Sequence, residues 1–106
     1  MPELYGKSLS RAEILHRVGD ISQICDARRS ILSEGRSRGV EIVDVYNAAG
    51  LRFTIVPSRG MDISHASYKG MPFAWRSAVG EISPFLYQPE GYEWLRSFFG
   101  GLLTTC

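Results

Sequence analysis

Between Gly50 and Ile63 the chain reads Gly-Leu-Arg-Phe-Thr-Ile-Val-Pro-Ser-Arg-Gly-Met-Asp-Ile, and this stretch limits the fold more than any other. Leu51, Phe53 and Ile55 alternate with Arg52, Thr54 and Val56, the period-2 pattern of a strand with one face in a core. Pro57 has no backbone N–H to give to a ladder, so the strand is expected to end there. Gly60 lets the chain turn. Met61, Ile63, His65 and Ser67 then share one face of a second strand, with Asp62, Ser64 and Ala66 on the other. Arg59 and Asp62 fall at the corner between the strands. Opposite charges there either pair with each other or meet a polar ligand, and polar side chains on loops carried by a rigid sheet are common binding groups.

Strand signals continue on both sides. Val40–Tyr46 is rich in β-branched residues, and Asn47-Ala48-Ala49-Gly50 supplies residues that tolerate positive φ, so an antiparallel hairpin with the Leu51 strand is expected. Tyr68–Pro72 makes the next turn, and Phe73–Trp75 begins another short strand. Strands recur about every ten residues, and no strand is followed by the helix that a parallel sheet needs, which gives an all-β antiparallel meander. Ser10-Arg11-Ala12-Glu13 has the form of a capping box, followed by the apolar face Ile14, Leu15 and Val18, ending near Gly19. So short a helix is expected to pack on the sheet. Ser22–Leu32 reads as one or two strands. Gly80–Gly91 is an irregular loop whose Phe85, Leu86 and Tyr87 are too apolar to be left in water. Tyr92–Phe99 places Leu95 and Phe98 at helical spacing with Trp94, Gly100-Gly101 stops that helix, and Leu102–Cys106 is β-prone.

With 106 residues the chain is one domain at most. An apolar share of 44% and a charged share of 22% are those of a globular protein, not of a disordered tail. A net charge of +1 removes any general attraction to nucleic acid or an anionic membrane. Arg28, Arg29, Arg36 and Arg38 are interleaved with Asp26, Glu34 and Glu41 and lack aromatic platforms, so they read as a solvated face. Met1–Lys7 has no basic region leading into an apolar run, and no apolar stretch approaches the roughly 20 residues that span a bilayer. A cytoplasmic address is the expectation, with Cys25 and Cys106 as buried thiols rather than a disulfide or metal ligands.

The blocks Gly39–Tyr46, Gly50–Phe53, Ser58–Ile63, Tyr68–Gly70, Phe73–Trp75, Trp94–Arg96 and Phe98–Cys106 stand in one order. From roughly Ser22 to Cys106 they resemble the DUF4432 branch of the aldose 1-epimerase (galactose mutarotase-like) superfamily. The resemblance implies part of a β-supersandwich with a concave sugar-binding face, with short helices near residues 10–18 and 91–99. Family members are considerably longer, so residues 1–106 are expected to be the N-terminal portion of a single, incomplete galactose mutarotase-like domain. The implied reaction interconverts the anomers of a free sugar: an acid, usually His, protonates the ring oxygen while a base, usually Glu, takes the anomeric hydroxyl proton. In the family those groups lie beyond the position of Cys106. No residue here matches them, so no catalytic residue is assigned, and no cofactor or metal is implied.

What the resemblance carries over is the wall of a sugar pocket. It comprises Arg59 with its neighbour Asp62, and Thr104, Thr105 and Cys106; Trp75 or the Phe98-Phe99 pair would offer a ring to the sugar's apolar face. The implied partner is a small-molecule sugar, without nucleic acid or membrane, and self-association through an unfinished sheet edge at Leu102–Cys106 is expected. The other reading is a non-catalytic carbohydrate-binding or structural fragment. Structural roles stand beside the functional ones. Arg59 and Asp62 can form a corner bridge, Trp75, Trp94, Phe98 and Phe99 can be core aromatics, and His65 sits on a face expected to be buried. His16 is expected in solvent. Nothing in the spacing brings His65 to Glu81 or Glu93 as an acid–base pair, and Cys106 has no cationic neighbour to activate it.

Overall fold

A computed structural model describes residues 3–4 and 6–102. Its centre is a five-stranded antiparallel sheet in sequence order, β3 (Asp26–Ile31), β4 (Glu41–Tyr46), β5 (Leu51–Val56), β6 (Asp62–Tyr68) and β7 (Met71–Pro72). It is preceded by a small hairpin, β1 (Glu3–Leu4) and β2 (Lys7–Ser8), and a one-turn helix, α1 (Arg11–Leu15). A two-stranded ribbon follows, in which β8 (Trp75–Arg76) pairs with β9 (Gly100–Gly101). The protein is thus all-β and antiparallel.

The hairpin between β4 and β5 forms where the turn residues call for it: Leu51 N–H donates to Asn47 Oδ1 at 3.1 Å, and Gly50 takes a φ of +102°. β5 stops at Pro57, and Pro57–Arg59 makes a single 3-10 turn closed by Gly60 in the left-handed region. Met61 follows with φ +64°, a conformation that holds strain in a non-glycine residue. One extra residue then enters β6, because Thr54 pairs with His65 while Ile55 pairs with Ile63, leaving Ser64 as a bulge.

The capping box is present in full: Glu13 N–H donates to Ser10 Oγ, and Ser10 N–H donates to the Glu13 carboxylate at 2.6 Å. The helix behind it packs differently from expectation. Ile14 joins Leu4 and Leu9, with Val18, Ile21 and Ile24 against them, in a small cluster away from the main sheet. The main core is Val40, Ile42, Val56 and Phe99, flanked by Leu32 and Val79. Two cores account for the elongated outline of 56 × 23 × 21 Å and a radius of gyration of 17.0 Å, against about 13 Å for a spherical chain of about 100 residues.

The strand expected within Ser22–Leu32 is Asp26–Ile31, preceded by a 3-10 turn at Ile21–Gln23, and the short helix expected near 91–99 is the 3-10 stretch Glu93–Ser97. Other sequence-based expectations are corrected. Cys25 is exposed. In the Gly80–Gly91 loop Phe85 is 96% exposed, and Leu86 and Tyr87, in and just after the 3-10 turn Pro84–Leu86, are also open to solvent. On β6 Asp62, Ser64 and Ala66 are buried, and His65 is exposed although the bulge sets it, opposite Thr54, on the same face as Asp62, opposite Val56. Gly101 lies so near β6 that a Cβ there would meet the Asp62 carboxylate and the Ile63 carbonyl oxygen at 2.9 Å, and Leu102 N–H donates to that same carbonyl. Only small or hydrogen-bonded side chains fit under such a contact.

Candidate functional site

The corner after β5 is where the structure gathers the expected binding residues. Arg59 ends the 3-10 turn and reaches back along β6, placing its Nε 3.6 Å from Asp62 Oδ2; Asp62 is nearly buried, and its Oδ1 accepts from Ile63 N–H at 2.7 Å. The guanidinium carbon stands 4.0 Å from the centre of the Phe99 ring and 4.9 Å from that of Phe98, an arrangement in which the ring faces attract the cation. Its Nη1 is buried and makes no hydrogen bond. A buried N–H without a partner is a site where a binding group or a small shift of the side chain gains free energy.

In front of this corner is a cavity of about 260 Å³, lined by Ser58, Arg59, Tyr87, Trp94, Ser97 and Phe98, among others. Trp94 and Phe98 meet edge to face, 5.6 Å apart at 73°. Charge, hydroxyls and ring faces in one hollow are the chemistry of a polyhydroxylated ligand, whose hydroxyls take hydrogen bonds and whose C–H faces lie on rings.

Of the six residues singled out from the sequence, Arg59 and Asp62 are brought together. Trp75 is not with them: it is 64% exposed and covers Gly100, where a Cβ would meet its ring at 2.2 Å. Thr104, Thr105 and Cys106 lie outside the described residues, as does the expected sheet edge beyond Leu102. Among the aromatics, Phe99 is 2% exposed and belongs to the core, whereas Trp94 lines the cavity. Tyr87 was not foreseen in this wall, and its presence depends on the path of the Gly80–Gly91 loop, which no sequence periodicity encodes.

A second polar constellation is remote in sequence and adjacent in the structure. His65 Nε2 lies 3.9 Å from Glu81 Oε1, and Arg76 grips both Glu81 oxygens, with Nη2 3.0 Å from Oε2. Burial works to raise the Glu81 carboxyl, but the hydrogen bonds and charge of Arg76 outweigh it and hold the group at about 2. Burial and the charge of Arg76 push His65 below its usual value, against the opposing pull of Glu81 and Asp44. Among the described residues no group of three or more His, Cys, Asp or Glu is placed to hold a metal ion, and no helix is long and apolar enough to cross a membrane.

Comparison with known proteins bears on the corner and its ribbon. The sequence profile described as "Domain of unknown function (DUF4432)" matches residues 37–106. A crystal structure from Klebsiella pneumoniae subsp. pneumoniae MGH 78578, described as a "putative aldose 1-epimerase", is similar with a TM-score of 0.62 at 26% sequence identity. That match covers 70% of this chain and 20% of the other, so this chain spans only a minor part of the length of its structural relative. No curated protein matches the chain.

Proposed function

The chain belongs to the DUF4432 family, and on that footing we propose that it is the carbohydrate-binding N-terminal portion of an aldose 1-epimerase-like protein that acts at the anomeric centre of a free sugar. The observation that carries this reading is the hollow at Arg59, where an under-bonded guanidinium, serine hydroxyls and aromatic faces meet. Ring opening and closure need an acid at the ring oxygen and a base at the anomeric hydroxyl, on opposite sides of one sugar. In this proposal Arg59 holds the sugar and those two groups come from elsewhere in a longer assembly, so residues 1–106 bind without catalysing. The likeness to an aldose 1-epimerase structure supports the class of reaction.

A purely structural role has one observation in its favour: Arg59 is already engaged by Asp62 and stacked on Phe99, which is also how a corner strut is built. NMR separates the readings. Titration with common aldoses is expected to shift the amides of Arg59, Ser97 and Phe98, with anomer exchange no faster than in buffer. Exchange accelerated by the 106-residue chain would overturn the non-catalytic assignment, and unmoved resonances at all three residues would leave Arg59 as a strut.

A further inference from the structure

Strand pairing sets Arg28, Asp44, Thr54 and His65 side by side, one from each of β3, β4, β5 and β6. Directly paired residues share a face of the sheet, so these four form a polar row across it. Beyond β6 the row runs on through Glu81 to Arg76. Thr54, in the middle, is 5% exposed and donates its hydroxyl hydrogen to Asp44 Oδ1 at 2.5 Å. An all-β core would ordinarily put apolar residues here, as the neighbouring positions Ile42 and Val56 do.

Asp44, Thr54, His65 and Glu81 of this row line a cleft of about 420 Å³, together with Ile42 and Leu32 and with Arg52, Ser67 and Pro72. Among the described residues it shares no lining residue with the hollow at Arg59. Asp44 accepts from Thr54 and keeps acceptor capacity to spare, and neither Arg28 nor Arg52 closes an ion pair on it. Asp44 and Glu81 are half-buried, while Arg28 and Arg52 are exposed. An anion entering the cleft meets these two carboxylates, and a cation meets Arg76 on Glu81 and has Arg28, cross-strand from Asp44, and Arg52 beside it. An uncharged ligand with several hydroxyls meets acceptors at Asp44, a donor at Arg52, groups of both kinds at Ser67 and His65, and an apolar wall for its carbon skeleton.

We propose that this cleft is a second ligand site, separate from the corner at Arg59, that takes a small neutral polyol. It does not depend on the epimerase reading, since nothing in it requires an anomeric centre.

The experiment titrates the 106-residue chain with D-sorbitol, which is uncharged and has no anomeric carbon, and with inorganic phosphate and ammonium chloride as charged comparators, followed by NMR. Saturable shifts at Thr54, Ser67 and the His65 ring with sorbitol alone are expected. Asp44→Asn should weaken the binding at least tenfold, and His65→Gln, at an exposed position that leaves the fold intact, severalfold. Cleft resonances that respond more to phosphate or ammonium would overturn the neutral-polyol assignment. Binding unchanged in folded His65→Gln, or sorbitol shifts confined to Arg59 and Ser97, would overturn the site itself while leaving the corner site standing.

Discussion

The hollow at Arg59 and the cleft at His65 open on the same face of the sheet, beside Val56 and Thr54 of β5, yet they are built by opposite means. The first is walled by side chains more than twenty residues further along the chain, from Ile82 to Phe99, brought over by an irregular loop and the β8–β9 ribbon. Its one cation is held by ring faces and a single carboxylate. The second is floored by cross-strand neighbours whose order is fixed by backbone pairing, and its charges are matched by hydrogen bonds. A loop-built pocket can change shape without unfolding the sheet. A strand-built row cannot, because moving it means shifting register.

Both hollows touch one core, and Phe99 is where that dependence is greatest. Phe99 is 2% exposed, lies in the main core with Ile42 and Val56, and carries the Arg59 guanidinium. Phe99→Ala is expected to lower stability by about 3–5 kcal/mol in urea denaturation, the usual result of emptying a buried aromatic position. If the two hollows differ as described, NMR on whatever folded fraction remains should show the Arg59 surroundings displaced and the Thr54–His65 pairing kept. Equal displacement of both would abolish the distinction.

The next effect tests the polar row. Glu81→Gln removes the charge that Arg76 holds and is expected to lower stability at neutral pH by about 1–2 kcal/mol, Arg76 being partly exposed. The pH dependence has a definite sign. Glu81 is held at about 2 in the folded protein, below its ordinary 4.5, so its contribution is present above about 4.5 and is lost as the pH falls toward 2. The gap in stability between wild type and Glu81→Gln should therefore close over that window in urea titrations, and a gap that persists at pH 2 would mean that the loss was one of packing. In the same variant the NMR titration midpoint of His65, already below 6.5, should fall further, because Glu81 is one of the groups that raise it.

What the sequence revealed, and what it hid, follows the same division. The strand ending at Pro57, the left-handed Gly60, the hairpin turn at Asn47–Gly50 and the capping box at Ser10 are local backbone preferences, legible from a few adjacent residues. The pairing of Arg59 with Asp62 was legible for the same reason, being three residues apart across one turn. His65 with Glu81 was not. Alternation groups His65 with Met61 and Ile63, but the bulge at Ser64 shifts the register by one, so that His65, opposite Thr54, shares the face of Asp62, opposite Val56, and meets Glu81 there. Phe85 and Cys25 were misassigned by residue type alone, since hydrophobicity says what burial would gain and nothing of whether the local chain can reach the core.

The smallest expected effect is the one that separates a strut from a binding group. Arg59→Lys keeps a positive charge toward Asp62 but loses the planar guanidinium that lies on Phe98 and Phe99. At a partly exposed position, loss of such a cation–ring contact is expected to lower stability by about 0.5–1 kcal/mol, a shift that thermal denaturation resolves. The effect on binding is independent of that number. A lysine restores the charge without the fixed fork of N–H donors, so a sugar held by Arg59 should lose its shifts at Ser97 and Phe98, while D-sorbitol shifts at Thr54 and Ser67 stay as they were. Sugar shifts that survive at Ser97 with stability reduced would place Arg59 among the supports of the corner and leave the aromatic wall as the part that binds.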